Sequence, residues 1–339
     1  MPNSTQFKNK SVLITGGSGS FGRAFAKFLV EKSDAKKVII LSRDEWKQWE
    51  MKQSDPVFNH PKMRYFLGDV RDKDRLMRAF NEVHFVIHAA ALKQVPAAEY
   101  NPTEFIQTNV MGAMNVIDAA IHTGVEKVLA LSTDKAVNPI NLYGATKLCS
   151  DKLFVAGNAY VGAVKKPKFS VVRYGNVSES RGSIIPFWKK LIAEGVQALP
   201  VTDPRMTRFW ITLDQAVDFV AQCFHEMRAG EIFVPKIPSL KITDLAEALA
   251  PGIPHKIMGI RDGEKLNELM ISTDDARHTI EKGNHFVIIP EAMTHDLTAL
   301  AQFFDGKEPR FMPDGFSYAS NTNTEWLNVE DLRKLLSVP

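Results

Sequence analysis

The sequence predicts an α/β fold, a doubly wound parallel sheet followed by a smaller C-terminal α/β domain. Three observations carry this. Short apolar, β-branched runs alternate with longer amphipathic runs through the first half of the chain, a glycine-rich turn joins the first such pair, and the alternation breaks after about residue 178. Strands that are apolar throughout, rather than at every second residue, belong to a sheet covered by helices on both faces.

SVLIT (11–15) reads as a buried strand, and the stretch from about Phe21 to Glu31 as the helix behind it. KVIILS (37–42), MRYFLGD (63–69), HFVIHAA (84–90) and KVLALST (127–133) are the next strands. Segments near 72–81 and 103–123, with Ala, Met and Val at helical spacing, are helices between them. KFSVVRYGNV (168–177) supplies one more strand. Beyond it Pro, Gly and Arg become frequent, as in SESRGSIIPFW and TDPRMTRFW. The expected division is a first domain over 1–177, with a strand return near 205–236 through EIFVPK, and an interleaved second domain over 178–339.

Composition narrows the class. Among 339 residues, 45% are hydrophobic and 24% charged, the balance of a folded globular protein rather than a disordered one. The net charge of +3 comes from 42 basic and 39 acidic residues dispersed along the chain, which argues against a nucleic-acid partner. Cys149 and Cys223 are too few for a disulfide framework and lie in no metal-type spacing, so no metal is expected. The polar start, MPNSTQFKNK, lacks a signal-peptide core, and no run approaches the roughly 18 apolar residues of a spanning helix. The expectation is a cytoplasmic protein with no membrane partner.

TGGSGSFG (15–22) follows the first strand and opens the first helix, with Gly16, Gly19 and Gly22 in G-x-x-G-x-x-G spacing. Glycines allow a tight turn and close backbone approach, and the helix N-terminus offers free N–H groups to a pyrophosphate. A Rossmann-like dinucleotide-binding domain follows from that context. At the end of the second strand, Asp44 suits the ribose hydroxyls of NAD, whereas Arg43 and Lys47 suit a ribose 2′-phosphate; the balance favours NADP. Asp69, ending the third strand, is placed for an adenine amino group.

Tyr143 and Lys147 are four residues apart and share one face of a helix. A nearby ammonium favours a phenolate, by about 1–3 pKa units for a close pair, so Tyr143 can act as a general base toward an alcohol.

TGGSGSFG, LGDVRD, HAAALKQV, STDKAVNPINLYGATK and RYGN together resemble the extended short-chain dehydrogenase/reductase superfamily. More narrowly, with RMTRFWIT, EIFVPKIPSLKITDLA and IRDGEKLNE, the chain is similar to the soluble, inverting UDP-N-acetylglucosamine 4,6-dehydratases that open pseudaminic acid biosynthesis. The resemblance implies that Tyr143 takes the C4 hydroxyl proton while hydride leaves C4 for NADP. It implies that Lys135, if neutral, removes the C5 proton, that Asp134, if protonated, donates to the departing C6 hydroxyl, and that Thr133 hydrogen-bonds the C4 oxygen. Lys147 then also holds the nicotinamide ribose. Ser18, Ser20, Phe21, Ser42, Val70, Ala90 and Lys93 are expected at the cofactor. Lys93, Asn176, Thr202, Arg205, Arg261 and Glu264 are expected at the UDP-N-acetylglucosamine substrate. Asn109 reads equally as a helix-interior structural residue or a water holder. A homo-oligomer, dimer or hexamer, is implied as well.

The membrane-anchored, retaining relatives carry Met at the position of Tyr143 and N-terminal spanning helices, which this sequence lacks. One departure stands out: where the family has GNV-x-GSRGS, this chain has GNVSESRGS, with Glu179 in place of a Gly. A side chain there would weaken binding if the Gly allowed close backbone approach. Two other readings share much of this pattern. A UDP-sugar 4-epimerase would use the same turn and Tyr143–Lys147 pair but not Asp134 and Lys135. A catalytically silent dinucleotide sensor would be expected to have lost Tyr143 or Lys147.

Overall fold

The computed structural model describes residues 4–162, 166–178, 183–291, 300 and 309–336. Glu179 lies outside them.

The main sheet has nine strands: β1 (Ser11–Thr15), β2 (Lys37–Ser42), β3 (Met63–Leu67), β4 (Phe85–His88), β5 (Lys127–Thr133), β6 (Lys168–Tyr174), β7 (Ile232–Pro235), β8 (Thr279–Lys282) and β9 (His285–Ile288). Their spatial order is β8-β9-β7-β6-β5-β4-β1-β2-β3. From β7 to β3 neighbouring strands are parallel, and β9 and β8 add an antiparallel hairpin at the β7 edge. Every residue of β1 is buried, which a sheet packed on both faces by helices requires.

Chain order reverses between β1 and β4: β2 and β3 lie to one side of β1, β4 to β6 to the other. The loops leaving the ends of β1 and β4 therefore diverge and open a crevice, the place where ligands sit in open α/β sheets. The helices that follow are set by local signals. α1 (Ser20–Lys32) begins after Gly19 with no side-chain cap, which leaves its first N–H groups facing the crevice. α2 (Glu45–Ser54) is capped by Asp44, α3 (Lys73–Ala79) by Asp72, and α5 (Leu142–Gly157) by Asn141.

The helix expected over 103–123 is interrupted. Pro102–Phe105 is α-helical, Ile106–Met111 is a π-helical stretch, and α4 (Gly112–Thr123) completes it. Asn109 in the π stretch accepts from the Leu92 N–H at 2.8 Å, and donates to the Leu92 carbonyl at 2.9 Å and to Thr146 at 3.0 Å. It ties the loop after β4 to α5, the structural role that was one of its two sequence readings.

The strand expected over 168–177 also breaks, at Gly175. A Cβ there would sit 2.5 Å from the Phe209 Cβ, so the missing side chain lets the backbone cross from the main sheet to a second one. Asn176–Val177 pairs parallel with Thr207–Ile211, which pairs antiparallel with Ser239–Lys241. This region has its own hydrophobic core around Ile185, Trp188, Leu199, Leu240, Leu245 and Leu332. Met270, Ile271 and Tyr318 pack instead into the core of the main sheet, so the C-terminal part of the chain feeds both.

Candidate active site

The glycine turn is shaped by contacts that side chains would block. Gly16 has φ +65°, and a Cβ on it would lie 2.8 Å from the Ala90 Cα. A Cβ on Gly22 would lie 2.5 Å from the Gly17 backbone, so that glycine fits α1 against the turn. Thr15 binds the two loops together, with its hydroxyl 2.9 Å from His88 Nδ1 and accepting from the Ala90 N–H at 3.3 Å. Burial, with the nearby Lys147 charge, lowers the His88 pKa to about 3 and keeps the imidazole neutral.

The crevice is a cavity of about 860 Å³ running from this turn to the C-terminal end of β5. At the β2 and β3 ends it is lined by Arg43, Lys47 and Asp69. Asp44 is engaged there: its carboxylate accepts from the Lys47 N–H at 3.0 Å and pairs with the Lys47 ammonium at 3.1 Å. Asp69 pairs with Arg71 at 2.8 Å and lies 3.7 Å from Arg43. The cradle that Cβ atoms would fill and the uncapped helix end fit the pyrophosphate of a dinucleotide.

At the other end, β5 runs into a single 3-10 turn, Asp134–Ala136, with Thr133 as its N-cap. Asp134 is buried beneath the cavity wall. Its Oδ1 accepts from the Thr133 hydroxyl at 3.0 Å and from the Lys135 ammonium at 3.0 Å. Lys135 reaches a second carboxylate, Glu268 Oε1, also at 3.0 Å. α5 packs tightly on this turn because Gly144 has no side chain; a Cβ would overlap the Lys135 carbonyl oxygen. That packing sets Tyr143 and Lys147, both buried, against the same wall as Thr133 and Lys135. Behind it, Asp151 accepts from Ser132 at 2.8 Å and from Arg173 at 3.3 Å, anchoring α5 to β5 and β6.

Electrostatics here differ from the simple Tyr–Lys picture. Burial lifts the Tyr143 hydroxyl to about 12, against the pull of the Lys135 charge and a hydrogen bond with Thr133. The cation opposing that lift is Lys135, not Lys147, and burial lowers the pKa of Lys147. Lys135 is held charged, since burial works against its ammonium but Asp134 and Glu268 outweigh burial. Asp134 is raised by burial and by the Glu268 charge, so its carboxyl holds a proton more readily than a free one.

Most of the residues expected at the site meet around this one cavity. Gly16, Ser18, Gly19, Ser20, Phe21, Gly22, Ser42, Val70, Ala90, Lys93 and Asn176 line it along with the residues above. Arg261 and Glu264 also line it, paired with each other at 2.6 Å. Thr202 and Arg205 are not among its lining residues, and the Arg205 guanidinium forks onto Asp203 at 3.0 and 2.7 Å. Sequence reasoning did not single out Glu268, Gly144 or Tyr174, the last lining the cavity beside Tyr143. Each falls within a quoted stretch, Glu268 in IRDGEKLNE, Gly144 in STDKAVNPINLYGATK and Tyr174 in RYGN, but nothing local in those stretches marks the residue itself. Among the described residues, no cluster of three or more His, Cys, Asp or Glu side chains is placed to hold a metal ion.

Residues 12–290 match the family model described as polysaccharide biosynthesis protein. The chain is 56% identical over 337 residues, 98% of each chain, to a Campylobacter jejuni protein named UDP-N-acetylglucosamine 4,6-dehydratase (inverting). It is 40% identical over 97% of its length, and 96% of the relative's, to a Rickettsia canadensis protein named UDP-glucose 4-epimerase. Among solved structures, Pen from Bacillus thuringiensis superposes with a TM-score of 0.87 at 33% identity, covering 98% of both chains.

Proposed function

The chain belongs to the polysaccharide biosynthesis protein family, and from that membership we propose that it is an inverting UDP-N-acetylglucosamine 4,6-dehydratase. The observation that carries the choice within the family is the Asp134–Lys135 pair beside Tyr143, with Asp134 buried and Lys135 on the cavity wall. A 4-epimerase only removes and returns hydrogen at C4 and has no work for a second acid–base pair. A dehydratase needs one at C5 and C6.

The glycine turn, with Tyr143 and Lys147, would hold a nicotinamide dinucleotide, which would supply the hydride chemistry at C4 and C6. Everything else falls to side chains. Thr133 hydrogen-bonds the C4 oxygen, and Tyr143, which burial holds protonated at rest, releases its own proton to solvent and as phenolate accepts the C4 hydroxyl proton as the ketone forms. The ketone acidifies C5–H. Lys135 is charged at rest, so it first passes its proton to Asp134, whose carboxyl is raised toward holding one. Neutral Lys135 then takes the C5 proton and Asp134 gives its own to the C6 hydroxyl, which leaves as water. The pair ends as it began, ammonium and carboxylate. A solvent proton, replacing the one Tyr143 released, reaches C5 from the opposite face and inverts that centre.

Arg43 and Lys47, with Asp44 occupied as a helix cap, support NADP over NAD. Arg261, Glu264, Asn176 and Lys93 support binding of the sugar nucleotide. The product, a 4-keto-6-deoxy sugar nucleotide, suits pseudaminic acid biosynthesis. No helix among the described residues is long and apolar enough to cross a membrane, and both cysteines are free, which suits the cytoplasm.

Incubation of the purified protein with UDP-N-acetylglucosamine in heavy water tests the reading. Expected is a product lighter by one water, with deuterium at C5. An isomer of unchanged mass would make the chain an epimerase, and no conversion would favour a silent dinucleotide sensor.

A further inference from the structure

Glu268 lies far from the turn Asp134–Ala136 in sequence, yet its carboxylate is the second partner of Lys135. Its Oε1 is 3.0 Å from Lys135 Nζ, the same distance at which Asp134 Oδ1 holds that ammonium from another side. The Glu268 side chain is 2% exposed and that of Asp134 1%, whereas Lys135 keeps 24% and lines the cavity. Its backbone is fixed as well, the N–H donating to Ser320 Oγ at 2.9 Å and the carbonyl accepting from the Ser320 N–H at 2.8 Å.

Two carboxylates thus share one ammonium at the cavity wall. Glu268 also faces Arg208, whose Nε is 4.0 Å away and whose terminal nitrogens donate to the carbonyls of Thr207, Lys265 and Leu266. Lys265 stands nearby with its ammonium on the Val137 carbonyl, and Tyr143 closes the α5 side. Glu268 therefore has two cations within 4.0 Å, Lys135 and Arg208, while Asp134 has Lys135. A proton entering the cluster goes to Asp134, the carboxylate with less positive charge around it. Neither Asp134 Oδ2 nor Glu268 Oε2 has a hydrogen-bond partner among the described residues, so each is open to a proton.

We propose that Glu268 is the positioning residue of the elimination pair: its buried carboxylate anchors Lys135 opposite Asp134 and keeps one proton shared between those two side chains. The proposal rests on the dehydratase reading above. Its electrostatic content is consistent, because the Glu268 charge raises the proton affinity of both Asp134 and Lys135. Glu268 touches neither substrate nor cofactor in this scheme; it acts through Lys135.

The test uses the full chain with UDP-N-acetylglucosamine, comparing wild type, Glu268→Gln and Glu268→Asp in kcat, KM and the pH dependence of kcat. In Glu268→Gln the negative charge that retains the shared proton is gone. Its kcat should fall between roughly ten- and a hundredfold, as when a reacting group is misplaced, with KM within about threefold. Its basic limb should move to lower pH, since the pair loses its proton sooner. Glu268→Asp keeps the charge with less reach, so its kcat should lie between the other two, on the wild-type limb. A Glu268→Gln enzyme with kcat within twofold of wild type overturns the proposal. So does an unmoved basic limb with lowered kcat, the result of a merely structural role. Should Glu268→Gln fail to fold, Glu268→Asp decides: severalfold loss of kcat at preserved KM supports the role, and a wild-type kcat overturns it. If the wild type itself releases no dehydrated product, the dehydratase reading has failed, which is a separate outcome.

Discussion

At the scale of single residues, Lys135 carries two predictable consequences. On the proposed mechanism, replacing it with Met removes the base for C5, so dehydration should drop by about 10²–10⁴-fold, measured as release of the keto product. The same change strands Asp134 and Glu268 as buried carboxylates without their shared cation. Arg208 still faces Glu268 at 4.0 Å, so the stability loss at neutral pH should sit at or below the low end of about 3–5 kcal/mol. The sign with pH follows from linkage. A carboxyl whose folded pKa is raised contributes stability below its unfolded pKa near 4 and loses it as pH rises through the folded value. Asp134 is already raised, and more so without the ammonium. The melting temperature of Lys135→Met should therefore fall further below wild type at pH 8 than at pH 5; an equal deficit at both would show that the carboxylates are not stranded. At the opposite end of the cavity, Arg43→Ala combined with Lys47→Ala should weaken NADP binding at least tenfold while changing NAD binding little, by titration calorimetry. Equal losses for both would remove the case for the 2′-phosphate.

At the scale of elements, the site depends on how closely α5 approaches the turn Asp134–Ala136. Gly144 permits it, since a Cβ there would overlap the Lys135 carbonyl oxygen and stand 3.0 Å from the Pro139 Cβ. The first of these is backbone, which cannot swing aside as a flexible side chain can. Gly144→Ala should push α5 outward, costing about 1–3 kcal/mol and, by displacing Tyr143, up to about 10²-fold in kcat. Gly157→Ala on the same helix makes the control: its nearest contacts, Ile117 and Phe169, are side chains at 3.3 Å, and activity should stay within twofold. Activity loss in both variants would mean that α5 tolerates no added methyl anywhere and that the approach at Gly144 is not special. The same scale shows where periodicity misleads. Spacing alone gives one helix over 103–123, but the π stretch at Ile106–Met111 rotates Asn109 inward to bind the Leu92 backbone. An apolar run gives one strand over 168–177, but Gly175 lets it pass against Phe209 and change sheets. Both breaks answer to tertiary partners that local pattern does not contain.

At the scale of the whole molecule, the alternation of strands and helices was enough to read the parallel sheet, and the glycine turn with its helix was enough to find the crevice at the β1–β4 reversal. Tyr143, Lys147, Asp134 and Lys135 were legible because they fall within one short stretch. Glu268 and Arg208 lie within IRDGEKLNE and RMTRFWIT, but their role was not legible there, since only folding brings them to Lys135. The surface raises the same question for assembly. Met111 and Met114 are 46% and 40% exposed and three residues apart, so they share one face along the helical run that contains α4, with Ile106 also 44% exposed nearby. Their apolar character supports burial against a second copy, because pairing the same face across a two-fold axis covers it on both subunits. The native chain should therefore sediment as a dimer or larger, and Met111→Glu with Met114→Glu should yield a monomer that keeps its melting transition. A native chain that sediments as a monomer ends the homo-oligomer expectation. An unchanged oligomer in the double variant keeps that expectation but moves the interface to another face.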